Sequence, residues 1–216
     1  CVDAIKTAGI ARVVVAATDP NPAVNGQGIA RLREAGVQVE TGLMADAARG
    51  LNIGFFSRII RKRPWVRMKM AASADGITAL PNGESQWISS PEARQDGHRF
   101  RAQACVVLTG AGTVLADDPQ LDARGLPLSR QPHVVVIDSR LQTPVTARLL
   151  CGQREKWLYH SGVATEQARA SLETAGATLI TLANAHNKVD LTAMLTDLAQ
   201  REVNEVHLEA GAALNG

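Results

Sequence analysis

Polar and glycine residues follow β-type runs at four places in this chain. They are Ser73 and Asp75, then Thr109, Gly110 and Thr113, then Asp138 and Ser139, and last Glu209 and Gly211. In open α/β sheets, ligands bind outside the carboxyl ends of strands, where loops and helix N-termini aim backbone N–H groups at anions. The four places therefore predict one common face. Arg101, near the end of a helical stretch, and Arg124, in a loop, could clamp a phosphate through bidentate guanidinium contacts, although each taken singly reads more simply as a surface arginine. Asp117-Asp118-Pro119 could place carboxylates at a site or be a plain turn. Trp87 could stack on a planar ring, but core filling is the simpler reading. The run Gly211-Ala212-Ala213-Leu214-Asn215-Gly216 could wrap a pyrophosphate, yet it is not GxGxxG and an ordinary strand-to-helix turn fits it better. Cys1 alone reads more readily as a small apolar residue than as a zinc ligand.

The elements that must position these groups come from hydrophobic periodicity. A short helix is expected over residues 1–9 and a β-branched buried strand over 12–17, stopped by the turn Asp19-Pro20-Asn21-Pro22. Helical spacing over 29–36, closing at Gly36, and a strand at 37–40 complete a β-α-β unit. Residues 44–62 are predicted as one helix ending in Arg58, Arg61, Lys62 and Arg63. Basic residues suit the negative end of a helix dipole and Pro64 cannot continue the helix, so this cluster reads as a solvated C-terminus, not a nucleic-acid patch. A domain junction is placed there, giving domains 1–63 and 64–216.

The second domain opens with alternation of Val66, Met68 and Met70 against Arg67, Lys69 and Ala71, a half-buried strand. Ser90-Pro91-Glu92 signals a helix start, with serine as N-cap and proline at the first helical position, and the helix is expected to reach 104. Then come a strand at 105–109, a short helix at 113–116, a loop over 117–131 and a strand at 133–138. Strands at 156–160, 178–182 and 205–209 alternate with helices at 165–175 and 191–200. That alternation argues for a doubly wound, mostly parallel sheet.

Composition narrows the function classes. The 216 residues are 45% hydrophobic and 20% charged, ordinary for globular domains, and the net charge of +2 is spread without a single-sign field. Nucleic acid and anionic membrane are therefore not expected partners. No apolar run spans a bilayer and no leader opens the chain, so a cytoplasmic protein is expected. The three cysteines are far apart and odd in number, which suits a reducing compartment. The chain starts at Cys rather than Met and stops within a glycine-bearing loop, so both ends are expected to lie inside a longer protein.

Taken together, the segments resemble the bifunctional deaminase–reductase family RibD of riboflavin biosynthesis. The resemblance runs along the whole chain. It is carried by Cys1-Val2-Asp3-Ala4-Ile5, the Asp19 turn with Gly26 and Gly28, Ser73-Ala74-Asp75-Gly76, Gly83-Glu84-Ser85-Gln86-Trp87-Ile88, Thr113-Val114-Leu115-Ala116-Asp117-Asp118-Pro119, Ile137-Asp138-Ser139 and Glu209-Ala210-Gly211. It implies the C-terminal part of a cytidine-deaminase-like α/β/α domain followed by a dihydrofolate-reductase-like α/β domain.

The resemblance also implies roles. Cys1 corresponds to the last cysteine of the deaminase zinc site, whose His-x-Glu and Pro-Cys partners are not in this chain, so zinc belongs to the complete protein. The Asp19 turn would lie beside that pocket. In the reductase, Ser85, Arg101, Leu121 and Arg124 would hold the phosphate of a phosphoribosyl pyrimidine, with Asp117 and Glu209 at the sugar and ring as catalytic candidates and Glu209 also binding substrate. NADPH would rest on Ala71, Trp87, Thr113, Asp117, Ser139, Gly211, Ala212, Ala213, Leu214, Asn215 and Gly216, with Lys69 and Asp75 in lesser roles. A homo-oligomer is expected. Ala212-Ala213 stands where Pro-Thr is usual in some members, and the loop between Arg124 and His133 is short for the family. Two rivals stay open, another NADPH reductase of the same fold and a non-catalytic binding domain.

Overall fold

β-Branched and aromatic runs become strands in this chain, and the helices between them over Gln27–Glu34, Glu166–Thr174 and Leu191–Gln200 bury apolar residues. The computed structural model describes residues 1–82, 84–85 and 87–215. They fall into two compact units, Cys1–Trp65 and Val66–Gly216.

In the first unit, helix α1 (Val2–Thr7) leads to strand β1 (Arg12–Val15), helix α2 (Gln27–Glu34) and strand β2 (Gln38–Thr41). β1 and β2 pair in parallel, with Val13 opposite Val39. Leu32, Val37 and Val39 are buried against Val2, Ile5, Val13, Val15 and Ile29, which is the small core of this unit. Gly36, at φ +80° just past α2, supplies the left-handed turn that ends the helix. The turn at Asp19 is held by its own side chains: Asn21 N–H donates to Asp19 Oδ1 at 2.8 Å and Ala23 N–H to Asn21 Oδ1 at 3.1 Å.

The single helix predicted over 44–62 is two, α3 (Ala45–Leu51) and α4 (Ile53–Arg61). Asn52 makes the break. Its backbone sits at φ −118°, outside the helical region, and its side-chain amide donates to the Ala48 carbonyl at 2.9 Å. A short polar side chain that competes for backbone partners in this way favours helix ends over helix interiors.

In the second unit, β3 (Trp65–Met68), α5 (Pro91–Gln103), β4 (Val106–Gly110), α6 (Ala111–Asp117), β5 (His133–Ile137), β6 (Lys156–His160), α7 (Glu166–Thr174), β7 (Thr178–Thr181), α8 (Leu191–Gln200), β8 (Glu205–Leu208) and α9 (Ala212–Asn215) follow in order, with a 3-10 turn at Arg148–Leu150. The sheet runs β3-β8-β4-β5-β6-β7. β8, β4, β5, β6 and β7 pair in parallel. Ser90 caps α5 as its sequence signal predicts, its Oγ accepting from Ala93 N–H at 3.2 Å, with Pro91 at the first helical position.

Two apolar layers cover this sheet. One gathers Val107, Val134, Val136, Leu149, Leu158 and Leu172, and the other Val106, Val135, Trp157, Tyr159, Met194 and Leu198. β8 is unusual among the central strands. Val206 and Leu208 face the second layer, while Glu205, His207 and Glu209 alternate with them and so share the opposite face, where Phe100 and Arg101 of α5 meet His207 and Glu209.

Candidate active site

Glu209 follows β8 directly, and its N–H donates to Leu108 O of the neighbouring strand at 2.9 Å, which fixes where its side chain starts. Arg101 reaches it from α5. The guanidinium engages both carboxylate oxygens, Nε to Oε1 and Nη2 to Oε2, the latter at 2.9 Å. Its remaining nitrogen, Nη1, donates to Asp122 O at 2.9 Å. After these bonds, one N–H on Nη1 and one on Nη2 are uncommitted. The side chains are mostly buried, 16% exposed for Arg101 and 14% for Glu209. Burial alone would push the Glu209 carboxyl up, but the Arg101 guanidinium, with His207 beside it, holds it well below the usual carboxylate range. The same partner raises the Arg101 guanidinium against the effect of its burial.

Asp122 is the meeting point of a second arginine. Arg124 Nε lies 3.3 Å from Asp122 Oδ1, and Nη1 donates to Gln120 Oε1 at 3.1 Å. The Arg124 N–H lies 3.2 Å from Nδ1 of His98, one turn before Arg101 on α5. Burial, then the nearby Arg101 charge, keeps His98 below the usual imidazole range; its Nδ1 also lies 3.2 Å from Asp122 O, and the ring tautomer decides which of the two it bonds.

The segment that presents Gln120 to Arg124 is irregular but firmly anchored. Leu121 is 2% exposed and sits at φ +52°, which turns its side chain into the core at the cost of a sparsely populated backbone conformation. Arg154 donates to the carbonyls of Leu121 at 2.9 Å and Gln120. Asp118 accepts the Arg148 N–H at 2.8 Å. Gln131 pairs with the Ala123 backbone as a strand would, its Oε1 accepting at 2.8 Å and its Nε2 donating at 2.9 Å. Gln131→Ala would orphan both backbone groups of buried Ala123. It is expected to lower stability by about 1–3 kcal/mol, read as a fall in the urea midpoint; an unchanged midpoint would show that the loop does not depend on this staple.

At the carboxyl ends of β4 and β8 the chain turns into α6 and α9. Gly211 lies beside Thr113, since a Cβ there would meet Thr113 Oγ1 at 3.9 Å. Leu214 packs over Gly110, and Asn215 Nδ2 donates to Ala210 O at 2.7 Å. Gly211, Ala212 and Ala213 are exposed; the first N–H groups of a helical turn have no intrahelical acceptor and can receive an anion.

The predicted site residues are thus placed as follows. Arg101, Leu121, Arg124 and Glu209 gather around Asp122, while Thr113, Gly211 and Leu214 gather at the ends of β4 and β8. Ser139 accepts the Val189 N–H on its Oγ at 3.2 Å and the Ser161 hydroxyl on its carbonyl at 2.7 Å, so it also ties together the loops after β5 and β6. Asp117 is exposed at the C-terminal end of α6, and Ala71 is half-buried after β3. Ser85 and Trp87 line a cleft of about 250 Å³ with Ser73, Ile77, Leu80 and Ile88. Trp87 does not fill the core as the sequence suggested: it is 70% exposed, with the Arg94 guanidinium 4.3 Å from its ring centre. Charge on that ring face, not burial, fixes its position.

Gly216, expected at the cofactor, lies outside the described residues, as do Gly83 and Gln86 of the motif around Ser85. Cys1 is exposed at the start of α1. No group of three or more His, Cys, Asp or Glu side chains among the described residues could hold a metal ion. No helix among them is long and apolar enough to cross a membrane. Sequence reasoning missed Asp122, His98 and His207; His98 precedes Arg101 by three positions and His207 precedes Glu209 by two, spacings that put each pair on one face of its element.

Comparison with known proteins places this arrangement among relatives. The family described as RibD C-terminal domain matches residues 64–216. The chain is 40% identical over 228 residues to riboflavin biosynthesis protein RibD of Escherichia coli (strain K12), covering all of this chain and 61% of that protein. It is 37% identical to the protein of the same name from Bacillus amyloliquefaciens, covering 58% of it. Among solved structures, Acinetobacter baumannii RibD aligns with a TM-score of 0.86 and 36% identity over 99% of this chain and 58% of that one. A Thermotoga maritima diaminohydroxyphosphoribosylaminopyrimidine deaminase/5-amino-6-(5-phosphoribosylamino)uracil reductase aligns at 0.81 and 28%, over 98% of this chain and 56% of that one. This chain therefore spans about three fifths of the length of the relatives it matches. The mostly parallel α/β sheet of the second unit is that of their dihydrofolate-reductase-like reductase domain.

Proposed function

The chain belongs to the RibD C-terminal domain family, and on that premise we propose that residues 64–216 are an NADPH-dependent reductase of riboflavin biosynthesis. Its substrate is 5-amino-6-(5-phosphoribosylamino)uracil, whose ribosyl group is reduced to ribityl. Residues 1–63 are the C-terminal part of a zinc-dependent deaminase domain that, in the complete protein, acts on 2,5-diamino-6-(5-phosphoribosylamino)pyrimidinone. Cys1 alone supplies no zinc ligand set, so no deaminase step is assigned to this chain. The complete protein is taken to be cytoplasmic and homo-oligomeric.

The observation that carries the reductase reading is the convergence of Arg101 and Arg124 on Asp122, next to Glu209. A dianionic phosphate suits this place: Arg124 is exposed, and Arg101 keeps two uncommitted N–H groups. Ser85, which lines the cleft with Ser73 and Ile77, is assigned as a third donor, and buried Leu121 anchors the backbone of the segment that carries Arg124. Glu209, held below the usual carboxylate range by Arg101, is ionised at neutral pH and has no proton to give. Its role is to accept hydrogen bonds from the sugar and ring, which orients the carbon to be reduced. Asp117 is the other polar candidate for the proton network.

The residues present fit NADPH by the chemistry of their donors. Gly211 lies beside the Thr113 hydroxyl and is exposed together with Ala212 and Ala213; Ala71, Trp87, Asp117, Ser139, Leu214, Asn215 and Gly216 are the further residues assigned to the cofactor. When bound, NADPH supplies the hydride; the chain supplies distance and orientation. Purified full-length protein is expected to oxidise NADPH only when given the deaminated pyrimidine substrate. NADPH left unoxidised in that mixture would overturn the reading.

A further inference from the structure

β8 carries an imidazole that this chemistry leaves unused. His207 is 1% exposed, and its ring stacks on Phe100 at 6.2 Å with the planes 10° apart. Neither ring nitrogen has a hydrogen-bond partner among the described residues, although Nε2 lies 3.3 Å from Glu209 Oε1. A buried polar group without a partner is costly, and such groups in native proteins are few enough that each calls for a reason. The acceptor within reach is Glu209, each of whose oxygens already accepts one hydrogen bond from Arg101.

The charged groups around the imidazole are Glu205 and Glu209 on its own strand, Arg101 on α5, and Arg67 of β3, whose guanidinium sits over the Phe100 ring at 5.1 Å from its centre. A dianionic phosphate that enters through the two uncommitted Arg101 N–H groups and then pairs bidentately competes with Glu209 for the same guanidinium. The carboxylate it displaces would be left buried and unpaired unless another donor stood ready. We propose that His207 is that donor: a positioning residue to which the Glu209 carboxylate turns when a substrate phosphate takes over Arg101. The inference rests on the phosphate-binding role of Arg101 given above. The exchange gives the buried Nε2 an acceptor and the displaced Glu209 carboxylate a donor.

The test has two arms. In the first, inorganic phosphate is titrated into protein carrying ¹⁵N-histidine, and the His207 Nε2 signal is expected to move toward a hydrogen-bonded donor in the wild type but not in Arg101→Ala. A His207 signal unmoved at saturating phosphate overturns the proposal, as does failure of phosphate to bind. In the second, His207→Leu is expected to raise KM for the phosphorylated substrate by about tenfold, the loss of one hydrogen bond to a charged group, with kcat and the KM for NADPH little changed. His207→Gln, whose amide carries an N–H donor as Nε2 does, is expected to recover most of it. A Gln variant as poor as Leu while both keep the wild-type melting temperature, or a Leu variant with unchanged KM, sinks the proposal. Wild-type protein that shows the phosphate-dependent shift yet never oxidises NADPH refutes the reductase reading and leaves the partner exchange standing.

Discussion

Arg101→Ala is expected to weaken binding of the phosphorylated substrate by roughly 1.5 to 3 kcal/mol, the range for a hydrogen bond to a charged group, while the affinity for NADPH barely changes. The asymmetry follows from where the guanidinium ends. It touches Glu209 and the Asp122 carbonyl, whereas the residues expected at the cofactor, Thr113 and Gly211, stand together at the ends of β4 and β8. The same substitution leaves Glu209 buried without a counter-charge, which costs about 3–5 kcal/mol of stability. Binding is therefore measured below the melting temperature of the variant, substrate and NADPH separately. Arg101→Lys is not expected to rescue, because one ammonium cannot reach two carboxylate oxygens and a carbonyl at once. Equal weakening of both ligands would contradict the phosphate role and leave Arg101 a purely structural partner of Glu209. Arg124→Ala, at an exposed position, should weaken the substrate with little loss of stability.

How much of this was legible beforehand depended on the range of the interactions concerned. Lys156–His160 and Leu191–Gln200 are found where periodicity places them, because β-branched and aromatic alternation and a 3.6-residue apolar stripe are local signals. The mostly parallel sheet followed from strands alternating with helices. Asn52 was not recognised as a break, since its effect depends on a side-chain bond to Ala48 O that outweighs the apolar stripe around it. Trp87 was misread because a sequence shows that an indole wants cover but not that Arg94 supplies it with a charge over the ring.

The site was legible in its parts and hidden in its pairing. Arg101 and Glu209 stand 108 positions apart, and nothing local says that they engage each other through two hydrogen bonds. That pairing changes the chemistry assigned to both: Arg101 comes to a phosphate partly committed, and Glu209 becomes an acceptor in place of a proton donor. The polar alternation of Glu205, His207 and Glu209 was in the sequence. What covers that face was not: α5 does, with Phe100 on His207 and Arg101 on Glu209.

Glu209→Gln separates the charge of this residue from its shape. The amide still accepts from one guanidinium nitrogen but leaves Arg101 buried without an opposite charge, so at neutral pH the variant is expected to be less stable by about 3–5 kcal/mol. The sign of the pH dependence follows from the direction of the shift. Glu209 is held below the usual carboxylate range, so its contribution is complete above the ordinary glutamate pKa, about 4.3. That contribution is lost as pH falls from there through the lower folded value. The stability gap between wild type and Glu209→Gln is therefore expected to be constant from neutral pH down to about 5 and to narrow steadily in more acid solution, because protonation turns the wild-type residue into a neutral group like the variant's. Urea midpoints at a series of pH values read this directly. Turnover gives an independent check: since Glu209 acts as an acceptor that orients the sugar, kcat should fall in the variant without an acidic limb appearing or vanishing near neutrality. A gap that stays the same into strong acid would mean that Glu209 is not held ionised by Arg101, and the assignment of acceptor rather than proton donor would go with it.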